Sequence, residues 1–378
     1  MYCKPIIAHI TYSYLHISQT FIYNYITNFQ KNKIILLTRE TQNLELFPFQ
    51  NLYCLPRFRR YSLRWTYDKI CQKLLKKEPY FEYIIEKEKA KLIHAHFGPQ
   101  GVQMLGVKKR LGLPLITTFY GYDMSKLAQK WKWQIAYKKL FKKGNLFLVE
   151  GRHMRKELIK LGCPPQKIKI QHIAIDINKF KYKERKLGDK DDKIRILFCG
   201  RFTEKKGLIY ALKAVKIVID HFPNLEFRII GDGELRPEIE NFIRKGNMET
   251  NVVLLGYQPH YVFIEEVQKA HVLLQPSVIA KNGDSEGGAP SVLLEAQASG
   301  LPVISTFHAD IPEVVIDNKS GFLVPDRNTE ALTEKLEYLI KNPSLWDEMG
   351  RYGRKHIEEN HNICKEIKKL EDIYNQFI

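Results

Sequence analysis

Apolar residues in this chain gather in short runs separated by segments of helical period. In the first half, Ile6 to Ile10, Ile34 to Thr38, Leu92 to His96, Leu115 to Thr118 and Leu146 to Glu150 read as strands. In the second half, Ile194 to Cys199, Glu226 to Ile230, Val252 to Leu255, Val272 to Gln275 and Pro302 to Ser305 read the same way. Between strands the period changes. After Ile194 to Phe198, for example, Leu208, Leu212, Val215 and Ile219 recur at the spacing of one helix face. Alternating strands and helices imply parallel sheets with right-handed crossovers. The pattern therefore predicts an α/β chain of two Rossmann-like, doubly wound domains. Lys181 to Lys193 is charged, poor in apolar residues and interrupted by Gly188, so it reads as the linker. The expected divisions are residues 1–185, residues 190–350 and a charged helical segment, 351–378.

Size and composition fit two such domains. At 378 residues the chain exceeds one ordinary core, and its 44% hydrophobic and 27% charged content is globular. Cys3, Cys54, Cys71, Cys163, Cys199 and Cys364 are scattered with no Cys-x-x-Cys, which gives neither a disulfide framework nor a zinc site. No run approaches the ~18 apolar residues of a membrane span, and Met1 to Ile10 reads as an opening strand rather than a signal peptide.

Two stretches carry chemistry. Gly200-Arg201-Phe202-Thr203-Glu204-Lys205-Lys206-Gly207 links the strand ending at Cys199 to a helix. Open α/β sheets bind ligands beyond the carboxyl ends of their strands. Arg201 and Lys206 at that position are suited to holding a diphosphate and stabilising the charge it gains as a bond breaks. The second stretch runs from Asp284 through Glu286-Gly287-Gly288-Ala289-Pro290 to Glu295 and Gly300-Leu301-Pro302. Pro290 suits a helix start, and Gly300 with Pro302 suits its end. Gly287 and Gly288 let backbone N–H groups approach an anion at a helix N-terminus. Glu295, one turn in, can accept two hydrogen bonds from a vicinal diol. Two cations, a glycine loop and glutamates together describe a nucleotide-sugar site.

The order of these motifs resembles that of retaining glycosyltransferases of family 4, which have the GT-B fold. The resemblance rests on residues 200–207, Gly231-Asp232-Gly233, Glu286 with Glu295, Ala296 to Val303, and Gly321 to Val324. In the first half it includes Ser18 to Ile22, His94 to Gly98 and Thr117 to Asp123, closest to the branch that builds bacterial exopolysaccharide, capsule or lipopolysaccharide. The resemblance implies two Rossmann-like domains facing a cleft, with the last helix crossing back to the first domain. It implies catalytic roles for Arg201, Lys206 and Glu286. Donor contacts are implied for Gly200, Gly231, Tyr257, Gly287, Gly288, Ala289, Pro290 and Glu295, and acceptor-side roles for Ser18, Gln19, His96, Tyr120 and Asp123. No metal ion or cofactor is implied; the co-substrate would be a UDP- or GDP-sugar. Two departures stand out. Eight residues separate Glu286 from Glu295, one more than is usual in the family, and Tyr120 stands where many relatives have histidine.

A net charge of +18 calls for an anionic partner. No nucleic-acid-binding motif is present. Basic residues instead interleave with aromatics at 57–77 and at Lys130, Lys132, Lys138, Lys139, Lys142 and Lys143 with Trp131 and Trp133. That composition suits the headgroup layer of an anionic membrane, where a lipid-linked glycan acceptor would lie. The expectation is a cytoplasmic protein, peripheral on the inner face of the plasma membrane. The alternatives are a sugar-nucleotide epimerase of the same fold, or a basic membrane- or nucleic-acid-binding protein with a decayed site.

Overall fold

The computed structural model describes residues 4–15, 19–56, 62–70, 77–187 and 193–378. The chain divides into two compact units, residues 1–174 with 363–378, and residues 175–362. Among the described residues, no helix is long and apolar enough to cross a membrane.

The first unit contains β1 (Ile6–Ile10), β2 (Ser13–Tyr14), β3 (Lys33–Thr38), β4 (Glu40–Thr41), β5 (Leu52–Cys54), β6 (Leu92–His96), β7 (Leu115–Thr118), β8 (Leu146–Val149) and β9 (Ile168–Ile170). Seven of these form a parallel sheet in the order β5-β3-β1-β6-β7-β8-β9, while β2 and β4 pair separately. Both faces are covered, as an all-parallel sheet requires. Ala8, Ile10, Ile35, Ile93 and Ala95 pack under one set of helices that includes Gly98–Leu111 and Trp131–Lys143. Ile7, Leu36, Leu92, Ile116 and Leu148 face the other way. There they meet Ile363, Ile367, Leu370, Ile373 and Tyr374, the apolar stripe of the last helix, Ile363–Tyr374.

The second unit contains β10 (Ile194–Cys199), β11 (Leu225–Ile230), β12 (Val252–Gly256), β13 (Val272–Leu274), β14 (Val303–Thr306) and β15 (Gly321–Val324), in the order β12-β11-β10-β13-β14-β15. In both sheets the strand order reverses once, between β1 and β6 and between β10 and β13. Ligand crevices of open α/β sheets form at such reversals, beyond the strand carboxyl ends.

The principal strands lie where the apolar runs predicted them. The short strands β2, β4, β5, β9 and β15 escaped that reading, because two to four residues each carry no readable period. The division between units also differs, falling at 174/175 rather than within 181–193. The reason is visible at Arg185, whose side chain is buried. It donates to Val267 O, Gln268 O and Ala270 O at the end of the helix His260–Lys269, and to Ser299 O after the helix Ser291–Ala298. A guanidinium at two helix C-termini satisfies orphaned carbonyls and meets the negative ends of both dipoles. The segment was charged for capping, not for solvent. The final segment splits too: the helix Ser344–Asn360 stays with the second unit and only residues 363–378 join the first.

Candidate active site

The site of the second unit is built at the β10/β13 reversal. Gly200 closes β10 with its N–H on Ile230 O, and the chain then turns through a short 3-10 segment, Glu204–Lys206, into the helix Leu208–His221. Gly207 makes that turn at φ +71°, where a Cβ would stand 1.8 Å from Pro276 O. Gly231, at φ +141°, likewise lets the β11 end pass close to Gly200 O. Only glycine fits either place. The turn is thereby pressed against the loop that follows β13, and that loop carries Glu286.

The Lys206 ammonium lies 2.9 Å from one Glu286 carboxylate oxygen and 3.0 Å from the other. Ser277 Oγ donates to the same carboxylate at 3.1 Å. Burial pushes the Glu286 carboxyl up, but the charges of Lys206 and Lys205 outweigh it and hold the carboxyl below its ordinary range. Lys205, itself buried, fixes the loop by bonding to Asp284 Oδ1 and Ser285 O, both at 3.2 Å. The extra residue between the glutamates therefore leaves Glu286 directed at Lys206. Arg201 is exposed at the start of the same turn.

Downstream, Gly287 has φ +77°, Gly288 is buried, and Ala289 leads to Pro290. Pro290 occupies the N-cap position, so the helix begins at Ser291, and its N-cap side chain offers no acceptor to the first N–H groups. Glu295 is buried in that helix with its Oε1 3.2 Å from His260 Nε2. Burial opposes charge on His260, yet the Glu295 carboxylate prevails and raises its pKa. Tyr257, half exposed after β12, has its hydroxyl pKa raised by burial and by the neighbouring Cys199, with the Arg201 charge opposing both. Burial, with Glu295 adding to it, pushes the Cys199 thiol up to about 12, so it is inert as a nucleophile near neutral pH.

In the first unit a pocket of about 330 Å³ lies at the β1/β6 reversal. Thr11, Tyr12 and Ser13 reach it from beyond β1, Phe97, Pro99 and Gln100 from beyond β6, and Gln19, Tyr122 and Asp123 from nearby turns. Asp123 is buried and accepts from Gly98 N at 2.7 Å and Tyr120 N at 2.9 Å, so it ties two helix starts together. Burial pushes its carboxyl up to about 7 against those donors. His96 and Tyr120 sit behind this pocket, buried, with His96 Nδ1 2.8 Å from the Tyr120 hydroxyl. Ser18 lies outside the described residues, as do 57–61 and 71–76 of the basic stretch.

Comparison with known proteins places this geometry. The family pattern described as glycosyl transferases group 1 matches residues 179–356, and that of glycosyltransferase family 4 matches residues 19–179. The chain is 34% identical over 291 residues to a putative colanic acid biosynthesis glycosyltransferase, WcaL of Escherichia coli K12, covering 75% of this chain and 70% of that one. This chain belongs to glycosyltransferase family 4. A second relative, the amylovoran biosynthesis glycosyltransferase AmsK of Erwinia amylovora, is 36% identical over 286 residues, again covering 75% and 70%. Among solved structures, Anabaena HepE in complex with UDP-glucose superposes with a TM-score of 0.79 at 13% identity, over 98% of this chain and 99% of that one. A glycosyltransferase from Rickettsia africae gives 0.78 at 17% identity over 100% and 99%. At such identities the likeness shows the fold, which is GT-B.

The sequence of this glycosyltransferase had named Lys206, Glu286 and Glu295, and the structure adds the side chains that hold them: Lys205, Ser277 and His260. Lys205 was hidden because nothing in the residue types of Glu204 to Lys206 says which of two adjacent lysines turns inward. His260 had a legible signal, since it follows Tyr257 and Pro259 beyond a strand end. Ser277 carried none. Its partner lies nine residues on, across an irregular loop.

Proposed function

We propose that this glycosyltransferase moves a sugar, with retention, from a UDP- or GDP-sugar to a lipid-linked glycan acceptor in cell-surface polysaccharide synthesis. The observation that carries the reading is the Lys206–Glu286 pair beside Arg201 and an uncapped helix N-terminus at the β10/β13 reversal. A donor diphosphate arriving there competes with Glu286 for Lys206, and Ser277 remains to hold the displaced carboxylate. Glu295 takes the ribose hydroxyls and Tyr257 flanks the base. The acceptor oxygen bonds to the anomeric carbon as the bond from that carbon to the diphosphate oxygen breaks. The acceptor proton passes to the departing phosphate, and both events occur on one face of the sugar. Arg201 and Lys206 neutralise the leaving charge, a role that metal ions fill in other phosphoryl chemistry.

Membrane docking is supported by the helix Trp131–Lys143. It buries Tyr137, Leu140 and Phe141, and turns Lys132, Lys138, Lys139, Lys142 and Lys143 outward beside exposed Trp131 and Ile135. The names of the relatives support the polysaccharide setting, since colanic acid, amylovoran and a diphosphoundecaprenol-linked acceptor occur among them. Thermal-shift screening of UDP-, GDP- and ADP-sugars, followed by donor hydrolysis with and without EDTA, tests the reading. Stabilisation by one nucleotide class and turnover that survives chelation are expected. Loss of turnover restored by manganese would reject the cationic clamp, and no stabilisation by any nucleotide sugar would reject the function.

A further inference from the structure

On the sheet face that carries the last helix, three imidazoles and three hydroxyls join end to end. His9 on β1 is in register with His94 on β6, and His96 lies two residues on, so all three rings share that face. The Tyr120 hydroxyl meets His96 Nδ1 at 2.8 Å, and His96 Nε2 meets His9 Nδ1 at 2.9 Å. His9 Nε2 meets the Tyr374 hydroxyl at 3.1 Å; that hydroxyl also meets His94 Nδ1 at 2.5 Å, and His94 Nε2 meets Thr118 Oγ1 at 2.7 Å. Every one of the six ring nitrogens has a partner.

This arrangement constrains the protons. A neutral imidazole donates from one nitrogen and accepts at the other, and a hydroxyl between two imidazoles donates to one and accepts from its neighbour. Along the chain all protons must therefore point the same way. Either all three imidazoles carry the proton on Nε2, or all three carry it on Nδ1. Any mixture sets two donors or two acceptors face to face in a dry interior, at a cost of about 1–3 kcal/mol for each unmatched group. The ends decide between the two. A phenol is the stronger acid and an aliphatic hydroxyl the better acceptor, so Tyr120 donates into the chain and Thr118 receives at its far end.

We propose that these six side chains form one directional hydrogen-bond relay with every imidazole protonated at Nε2. Through it Tyr374 acts as a positioning residue for Tyr120, behind the wall of the first unit's pocket. Tyr120 packs its ring 4.6 Å from that of Phe97 and bonds its N–H to Asp123, and both of these residues line the pocket. The relay requires neutral rings, since an imidazolium donates from both nitrogens. Burial supplies that condition, taking His9 and His94 well below their usual value and His96 to about 3. The same three rings place one nitrogen each within 4.8 Å of one another, as a metal site would. A metal ion would need the lone pairs that the relay already uses.

Long-range proton–nitrogen NMR of the ¹⁵N-labelled full chain at neutral pH tests this directly. All three buried imidazoles are expected to show Nε2 protonation, and a single Nδ1 tautomer among them would overturn the proposal. Tyr374→Phe removes only the bridging hydroxyl. It is expected to break the shared tautomer at His9 or His94 and to shift the Tyr120 and Asp123 amide signals. Imidazole signals left unchanged would overturn the coupling, and unmoved amides would overturn the positioning role. Stoichiometric perturbation of all three rings by added zinc would replace the relay with a metal site. If the variant fails to fold, the wild-type tautomers and the zinc titration still decide.

Discussion

The two units share one topology but treat their polar interiors in opposite ways. At the β10/β13 reversal the polar side chains are charged and paired, Lys206 with Glu286 and Lys205 with Asp284. At the β1/β6 reversal the buried rings are uncharged and linked by hydrogen bonds alone. A site that must compete for an anion gains from cations whose counter-charge is exchangeable. A scaffold behind a pocket gains from groups whose protons have one consistent arrangement. The same fold therefore supports an electrostatic half and a neutral half, and solution conditions should act on them separately.

The sharpest break of this contrast is Lys206→Ala. It should lower kcat by about 10²–10³-fold, the loss seen when one preorganised donor to a developing anion is removed. Steady-state kinetics on the true donor measures it, and near-normal turnover would remove the electrostatic half of the contrast. Glu286→Ala should give an intermediate fall in kcat, since Lys206 persists without its buried counter-charge.

Acid should strike next, and at the neutral half. Each of His9, His94 and His96 has its folded pKa below the ordinary 6.5, so below that pH the unfolded chain binds protons that the folded one refuses. Asp123 opposes this, because its folded value of about 7 lies above the ordinary 3.8 and the folded state holds an extra proton between them. These four groups together take up about two protons net on unfolding, so their contribution to stability falls by about 3 kcal/mol per pH unit below pH ~6. Urea midpoints measured between pH 7 and 5 check the slope. A flat profile would mean the rings are not held neutral.

His260 carries the opposite sign. Its folded pKa is raised by Glu295, so its contribution is complete below 6.5 and is lost as pH rises through the folded value. Glu295→Ala should remove this dependence and raise the donor KM by about tenfold with kcat little changed, the pattern of a contact equal in ground and transition states. A fall in kcat alone would place Glu295 at the reacting centre. The smallest effect concerns the surface of the first unit. Exchanging Lys138 alone for glutamine should weaken binding to acidic vesicles by about 1 kcal/mol, the worth of one lysine near the surface. Co-sedimentation measures this, and equal binding to neutral vesicles would reject the docking face.

What the sequence made legible follows from how local each signal is. The turn from Gly200 to Gly207 and the helix after Pro290 each lie within one stretch of chain, so residue types alone singled them out as candidates. The pairing of Lys206 with Glu286 bridges 80 residues and depended on how the intervening loop folds. The relay was out of reach. His9 and His94 become neighbours only because β1 lies beside β6, and Tyr374 arrives from 365 residues beyond His9. Arg185 misled for a related reason: a charged residue looks the same in sequence whether it meets water or four carbonyl oxygens.

The discontinuity of the first unit has a consequence for biosynthesis. Domains commonly fold in the order in which they leave the ribosome, N-terminal first. Here residues 175–362 form a unit that is fully synthesised before the segment 363–378 exists. That last segment supplies Tyr374 to the imidazoles, and Glu371, whose carboxylate accepts from the backbone N–H groups of Gln30 and Lys31. The half of the molecule translated first is thus the half completed last. Until residues 363–378 emerge, the sheet face of Ile7, Leu36 and Ile116 waits without its covering helix. A chain lacking residues 363–378 would carry a finished second unit and an uncovered first one, a species that chaperones and proteases would meet as exposed apolar surface.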